Sequence, residues 1–154
     1  MPRASAIWRR VGYALLGLVV LSLAGSAFVY VRSESVFARE FDVPPKDLRL
    51  IDLDRPADSE RGRRIAGVIT QCHFCHGNDL AGAEIADDPF IGRLHAPNLT
   101  RGRGGLPGDY ARDDWVRAIR FGVGRDGRSL LLMPSAHLTR MTDEDLSDLI
   151  AFME

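Results

Sequence analysis

Lysine is almost absent from this 154-residue sequence, because Lys46 is the single lysine among 20 basic side chains. Acidic residues are missing altogether from residues 1–32, which hold four arginines. Those four arginines leave 16 basic and 21 acidic side chains in the rest of the chain, which therefore carries a formal charge of -5. Proteins bind nucleic acid through clustered lysine and arginine, so this balance argues against a nucleic-acid partner.

Cysteine is also scarce, since Cys72 and Cys75 are the only two. One pair cannot build a disulfide framework, and no cysteine lies near the end of the N-terminal apolar stretch to carry a lipid anchor. No internal repeat is present, and no group of residues typical of hydride, acyl or phosphoryl chemistry is visible. The sequence therefore argues against an enzyme.

The longest uncharged run is residues 11–31, VGYALLGLVVLSLAGSAFVYV, which is 21 residues long. A helix of that length measures about 30 Å, the thickness of the hydrocarbon core of a bilayer. It predicts a single transmembrane anchor. The alternative is a signal peptide cleaved after Gly25, Ser26 and Ala27. In both cases Arg9 and Arg10 stay in the cytoplasm and the chain after residue 31 is exported.

This pattern predicts four segments. They are a cytoplasmic N-terminus over residues 1–10, the anchor or signal peptide over 11–31, an extended linker over 32–57 and one domain over 58–154. Pro44 and Pro45 disfavour a helix in the linker. Alternating apolar residues predict a short strand-like piece packed on the domain edge: Leu48, Leu50, Ile51 and Leu53.

The first helix of the domain is capped by Asp58 or Ser59 and runs toward Gln71. Gly62 lies inside this helix, where glycine costs about 1 kcal/mol relative to alanine. A close approach of another helix would offset that cost. The apolar residues at helical spacing are Ile65, Val68 and Ile69.

Two further helices are predicted, one beginning near Asp113 or Asp114 and one capped by Thr142. Between the helices no alternation of period two is convincing. The predicted fold is therefore all-α with long loops. The apolar positions are Trp115, Val116 and Ile119 in the second helix and Leu146, Leu149, Ile150 and Met153 in the third.

The predicted helices leave a small core, because residues 77–113 are too rich in Gly, Pro and Asp to bury themselves. A large rigid prosthetic group would supply the missing apolar surface. The motif Cys72-His73-Phe74-Cys75-His76 indicates which group. Two residues between thiols at the end of a helix let each sulfur reach one vinyl group of a haem, and His76 is then placed to bind the iron.

Two other chemistries use closely spaced cysteines. A redox dithiol belongs with a βαβ pattern, which is absent from this sequence. A zinc site would need two more ligands from the four histidines, without a second cysteine pair. The motif therefore predicts one haem c, with its iron, attached covalently through Cys72 and Cys75.

Five segments cover nearly the whole domain: QCHFCHGNDLAG at 71–82, HAPNLT at 95–100, WVRAIRFGVGRDGR at 115–128, MPSAHL at 133–138 and TDEDLSDLIAFM at 142–153. Together they resemble a class I cytochrome c. More narrowly, they resemble bacterial membrane-associated monohaem cytochromes and the haem modules of dehydrogenase cytochrome subunits. The resemblance implies haem attachment on the outer side of the cytoplasmic membrane, in agreement with the predicted export. Similar proteins usually continue past the position of Glu154, so we expect a truncated or unusually short form.

The resemblance implies that Met133, which precedes Pro134 in a loop, is the sixth iron ligand. Elimination agrees, because the other three methionines lie across the membrane, on the apolar stripe of the last helix, or directly before its cap. His95 and His137 are the alternative ligands.

Iron bound by both His76 and Met133 would have no open position for a substrate. We therefore expect a membrane-tethered one-electron carrier that works between a redox protein donor and a redox protein acceptor. Two alternatives stay open: a haem subunit of a larger dehydrogenase or oxidase complex, and a five-coordinate haem that binds gas or reduces peroxide. Arg120 would either pair with a haem propionate or be a solvated helix arginine. Trp115 would lie at the haem edge or pack between helices.

Overall fold

The computed structural model describes residues 2–44, 47–48, 56–90 and 92–154. The chain divides into two compact units, of which the first ends at Arg39 and the second begins at Glu40. Most of the predicted strand-like piece of the linker, Leu50, Ile51 and Leu53, lies outside the described residues.

The first unit is built on helix α1, Pro2–Phe37. Its part Ala6–Phe37 is long and apolar enough to cross a membrane, as a transmembrane anchor or a signal sequence would be. The helix continues six residues past the predicted end of the apolar run, so residues 32–37 are helical and not extended. The physical reason is that no Pro or Gly follows residue 31 until Pro44, so nothing in the sequence breaks the helix.

The described residues of the predicted linker that follow Arg39 pack on the domain. Val43 and Leu48 are 8% and 4% exposed and belong to the hydrophobic core. The Phe41 N–H donates to the Gly127 carbonyl at 2.7 Å, beside an isolated antiparallel bridge between Glu40 and Arg128. The compact unit therefore begins at Glu40, ahead of the predicted start at residue 58, because burial of Val43 and Leu48 stabilises these residues against the core.

Helix α2, Ser59–Arg64, begins after Asp58, whose side chain accepts a hydrogen bond from the Arg61 N–H at 3.0 Å. This confirms Asp58 as the cap. A π-helical turn, Ile65–Ile69, continues the helix. Ile65 is 3% exposed, but Val68 and Ile69 are 75% and 72% exposed. The predicted helical spacing therefore does not extend to the last two residues, because the wider π turn interrupts the 3.6-residue period.

The last helix, α6, spans Asp143–Met153. The Thr142 hydroxyl oxygen accepts a hydrogen bond from the Asp145 N–H at 3.1 Å, which confirms the predicted cap. The predicted apolar stripe is also confirmed. Leu146, Leu149 and Ile150 are at most 1% exposed, and Met153 packs against them from the edge of the core.

Helices α2 and α6 cross in direct contact at Gly62. A Cβ atom at this position would overlap the carbonyl oxygen of Asp148, which confirms the close approach predicted from the glycine. The buried Asp148 carboxylate accepts hydrogen bonds from the Asp58 N–H at 2.9 Å and from Nη1 of Arg61 at 2.6 Å. Arg61 also pairs with Asp145. The crossing is therefore fixed by sterics and by a charged network.

Helix α3, Cys72–His76, leads into a β-hairpin of β1, Ala83–Asp88, and β2, Gly92–Ala96. The strands are antiparallel with Ala83 opposite Ala96, and a bulge interrupts the register between Glu84 and Ala86. The all-α prediction was wrong here, although the fold is mostly helical. The strands are short, and at the bulge the apolar residues Ile85 and Ala86 follow each other, so apolar and polar residues do not alternate along β1.

Helix α4, Arg112–Val116, continues as a π turn, Arg117–Phe121, and the short helix α5 spans Ser135–Leu138. Helix α4 begins one residue before the predicted Asp113, because the Asp114 carboxylate accepts a hydrogen bond from the Ala111 N–H at 3.0 Å. The core joins all these elements: Val43, Leu48, Ile65, Ala66, Trp115, Val116, Ile119, Val123, Leu146, Leu149 and Ile150.

The crossing predicts that Gly62→Ala destabilises the domain by at least about 2 kcal/mol, because its methyl group has no room beside the Asp148 carbonyl. Gly67→Ala is the control in the same stretch, since its Cβ would lie at an ordinary 3.5 Å from the His73 ring. Denaturant midpoints measure both. Equal midpoints for the two variants would contradict the crossing.

Candidate functional site

The cysteine motif folds as a single helical turn. Helix α3 contains Cys72, Cys75 and His76, and Gln71 before it adopts a left-handed conformation with φ 52°. Both thiols are free and partly exposed. The Cys72 sulfur lies 3.2 Å from the Thr70 hydroxyl, and burial raises the pKa of the Cys72 thiol. Three of the four predicted site residues are therefore together on one turn.

The His76 ring is oriented by a backbone carbonyl. Its Nδ1 lies 2.9 Å from the carbonyl oxygen of Pro97. Because a carbonyl only accepts hydrogen bonds, Nδ1 carries the proton and Nε2 keeps its lone pair. A second hydrogen bond at the ring nitrogen opposite the metal is the usual arrangement for a ligating histidine. Nε2 of His76 is thus available to bind iron.

The loop after the motif is packed tightly against the segment that supplies the Pro97 carbonyl. The Leu99 N–H donates to the Leu80 carbonyl at 2.8 Å. Gly82 lies so close to this segment that a Cβ atom added to it would be 2.9 Å from the Ala96 carbonyl oxygen. No role for Pro97 is predicted from its residue type, because its contribution is a main-chain oxygen.

Met133 lies before α5, in the segment 129–142 that joins the π turn after α4 to α6 and contains α5; this segment is called the methionine loop. Met133 is half-buried. Its side chain and that of Cys72 pack against the same hydrophobic core. Met141 and Met153 also pack on this core, as expected for the two methionines assigned to structural positions.

The alternative histidine ligands have other surroundings. His95 is 57% exposed, and its Nε2 lies 3.6 Å from the Glu84 carboxylate across the hairpin. His137 is exposed on α5. His73 is half-buried beside Gly67. The surroundings of His95 and His137 therefore do not favour either histidine over Met133 as the second iron ligand.

Three buried polar atoms have no hydrogen-bond partner within the part of the chain that the structure describes: Nε1 of Trp115, Nε of Arg120 and the hydroxyl of Ser147. Trp115 is 3% exposed, belongs to the hydrophobic core and packs edge-to-face on Tyr110, with ring centroids 5.1 Å apart. A buried donor without an acceptor costs about 1–3 kcal/mol, and a carboxylate is a suitable acceptor for the two N–H groups.

Arg120 is neither solvated nor free. Its Nη2 donates to the Met141 carbonyl at 2.8 Å and pairs with the Asp143 carboxylate at 3.0 Å, and its side chain is 16% exposed. The expectation of a solvated helix arginine was wrong.

Several large apolar side chains around the motif and the methionine loop are exposed. Exposed apolar side chains of this size are solvated poorly by water. The residues are Val68, Ile69, Phe74, Phe121, Leu131 and Leu132.

Comparison with known proteins identifies the family. Residues 57–153 match the family model described as "Cytochrome C oxidase, cbb3-type, subunit III". The chain belongs to this cytochrome c family. The predicted resemblance is therefore confirmed, and so is the prediction of an electron-transfer protein rather than an enzyme. Membership also implies haem c with its iron.

Three relatives are cytochrome subunits of dehydrogenases. The fructose dehydrogenase cytochrome subunit of Gluconobacter japonicus is 32% identical over 105 residues, which cover 64% of this chain and 21% of the relative. The gluconate 2-dehydrogenase cytochrome c subunit of Pantoea cypripedii is 31% identical over 88 residues, covering 56% and 20%. The cytochrome c subunit of the quinone-dependent alcohol dehydrogenase of Gluconobacter oxydans is 30% identical over 98 residues, covering 60% and 20%. The matched region thus spans about a fifth of each relative.

Proposed function

We propose that this chain is a membrane-anchored electron-transfer subunit that carries one haem c between His76 and Met133 and passes electrons between redox proteins. The observation that carries the proposal is the His76 ring, whose Nδ1 is bonded to the Pro97 carbonyl so that Nε2 is left for iron. The thiols of Cys72 and Cys75 stand on the same helical turn, as two thioether bonds to one haem require.

The residues of the domain fit a haem in two further respects. The exposed apolar side chains around the motif would be covered by a large flat apolar group. The buried donors Trp115 Nε1 and Arg120 Nε would gain carboxylate acceptors from its propionates. When bound, haem c supplies a reversible one-electron couple of Fe(III) and Fe(II).

Each ligand residue has a separate task in this account. His76 would hold iron through Nε2 in a ring orientation that the Pro97 carbonyl fixes, so the ring would not need to reorganise when the charge on the iron changes. Met133 would be the second protein ligand, and its thioether would favour the ferrous state relative to a histidine. With two protein ligands on the iron, electron transfer would be favoured over gas binding or peroxide reduction.

The partner is the part of the function that the relatives support. All three are named as cytochrome subunits of dehydrogenases, so we propose a dehydrogenase-type donor in a complex with this chain. Co-purification from native membranes tests this. A dehydrogenase that co-purifies with the chain supports the assignment. A chain that purifies without a dehydrogenase, from membranes that have dehydrogenase activity, contradicts it.

The proposed location is the cytoplasmic membrane, with the haem domain on its outer side. The support is the apolar helix α1 and the arginines Arg9 and Arg10 at its N-terminal side, which favour the cytoplasm.

For the anchor, Leu18→Arg should release the mature protein from membranes during carbonate extraction, because an arginine at the centre of a span costs about 2.5–3.5 kcal/mol. Val36→Arg, on the same helix but outside the predicted apolar run, should leave the protein in the membrane pellet. An N-terminus at Phe28 in mass spectrometry would show a cleaved signal peptide instead.

For the attachment, the protein expressed with a haem-attachment system should keep its colour after denaturing electrophoresis. Replacing both Cys72 and Cys75 by alanine should remove the colour from the protein band, because no thiol is left to form a thioether. Covalent haem in the double variant would contradict the proposal.

For the sixth ligand, the oxidised protein should show the weak far-red absorption of a thioether bound to ferric iron. Met133→Ala should abolish this band, open the position to carbon monoxide and lower the reduction potential, because the ligand that favours Fe(II) is lost. Met141→Ala is the control and should cost about 1–3 kcal/mol of stability through lost packing while leaving the spectrum unchanged. A wild-type protein without the band, whose spectrum changes in His95→Ala or His137→Ala, would be bis-histidine.

A further inference from the structure

The methionine loop is attached at its N-terminal end to the π turn that follows α4. The Leu130 N–H donates to the Gly122 carbonyl at 2.7 Å, and Met133 then closes a turn by donating to Leu130 at 3.1 Å. Gly122 has φ 66°, in the left-handed region. A Cβ there would lie 2.9 Å from Cβ of Ser135, so the loop passes directly over this glycine.

The C-terminal end of the loop is attached to the same turn through Arg120. The guanidinium holds the Met141 carbonyl at 2.8 Å and the Asp143 carboxylate at 3.0 Å, and the Arg120 carbonyl accepts a hydrogen bond from the Thr139 hydroxyl at 3.0 Å. Arg120 therefore bonds to the segment after Met133 through its side chain and its main chain. Since the side chain is only 16% exposed, water competes weakly for these bonds.

We infer that Arg120 is a positioning residue for Met133, holding the loop so that the thioether stays on the iron. The inference rests on the proposed function, in which Met133 is the sixth ligand. Nothing in it requires Arg120 to touch the haem. If the bonds of Arg120 favour the ligated loop, their loss must raise the fraction of molecules in which Met133 has left the iron.

That fraction can be measured with imidazole, which binds ferric iron only where the sixth position is open. The apparent dissociation constant equals the intrinsic one divided by the open fraction, so it reports the position of the loop directly. A substitution that only lowers the stability of another part of the domain leaves the open fraction, and therefore the apparent dissociation constant, unchanged.

Arg120→Gln in the full-length holoprotein should therefore bind imidazole about tenfold more tightly than wild type, because it loses charge-assisted bonds at the end of the loop. Its far-red band should also weaken. Arg117→Gln is the matched control. Arg117 lies on the same π turn but pairs with Asp114 at 3.2 Å, so its replacement should leave the imidazole affinity unchanged.

A second pair of variants keeps the test independent of the folding of Arg120→Gln. Thr139 is exposed, and its hydroxyl lies 3.0 Å from the carbonyl oxygens of both Arg120 and Ser135, so Thr139→Val removes a hydrogen bond that these two acceptors share. It should tighten imidazole binding about two- to tenfold. Thr139→Ser keeps the hydroxyl and should restore the wild-type affinity.

The outcomes separate the inference from the proposed function. Met133→Ala, measured alongside, should lose the far-red band and bind imidazole most tightly of all. If it does so while Arg120→Gln and Thr139→Val bind imidazole like wild type, Met133 stays the ligand and the role of Arg120 is overturned. Equal tightening in Arg117→Gln would likewise overturn it, as a general effect of stability. If Met133→Ala keeps the band, the ligand assignment fails and the inference with it.

Discussion

The contact between α2 and α6 at Gly62 is the constraint on which the rest of the domain depends. It brings the segment before the cysteine motif against the last helix, and it leaves no space for a side chain beside the Asp148 carbonyl. The same crossing buries the Asp148 carboxylate, which is acceptable only because Asp58 and Arg61 donate to it. Because α2 leads through the π turn to α3, this contact also determines where α3 begins, and therefore where Cys72 and His76 lie.

Main-chain carbonyls orient His76 and hold the methionine loop. The Pro97 carbonyl sets the tautomer of His76, and the carbonyls of Gly122 and Met141 hold the two ends of the methionine loop to the turn after α4. The protein thus holds both proposed ligands through hydrogen bonds to main-chain carbonyls. The apolar side chains left exposed around them are the surface that a haem would complete.

Sequence reasoning located the motif, the caps at Asp58 and Thr142, and the glycine at the crossing, because each depends on a residue type at a fixed local spacing. It missed the β-hairpin, because apolar and polar residues do not alternate across the bulge of β1, and the π turn at Ile65–Ile69, which has no sequence signal of its own. The hydrogen bonds that involve Pro97 and Arg120 could not be predicted from the sequence for another reason. They join residues about 21 positions apart through main-chain oxygens.

The central claim is that iron is held between His76 and Met133, and X-ray absorption at the iron edge of the purified wild-type holoprotein tests it most directly. The account predicts six-coordinate iron with one sulfur and otherwise nitrogen neighbours in both oxidation states, because a carrier keeps its ligands when it takes up an electron. Six nitrogen neighbours without sulfur, or five-coordinate iron in the reduced protein, would contradict the account.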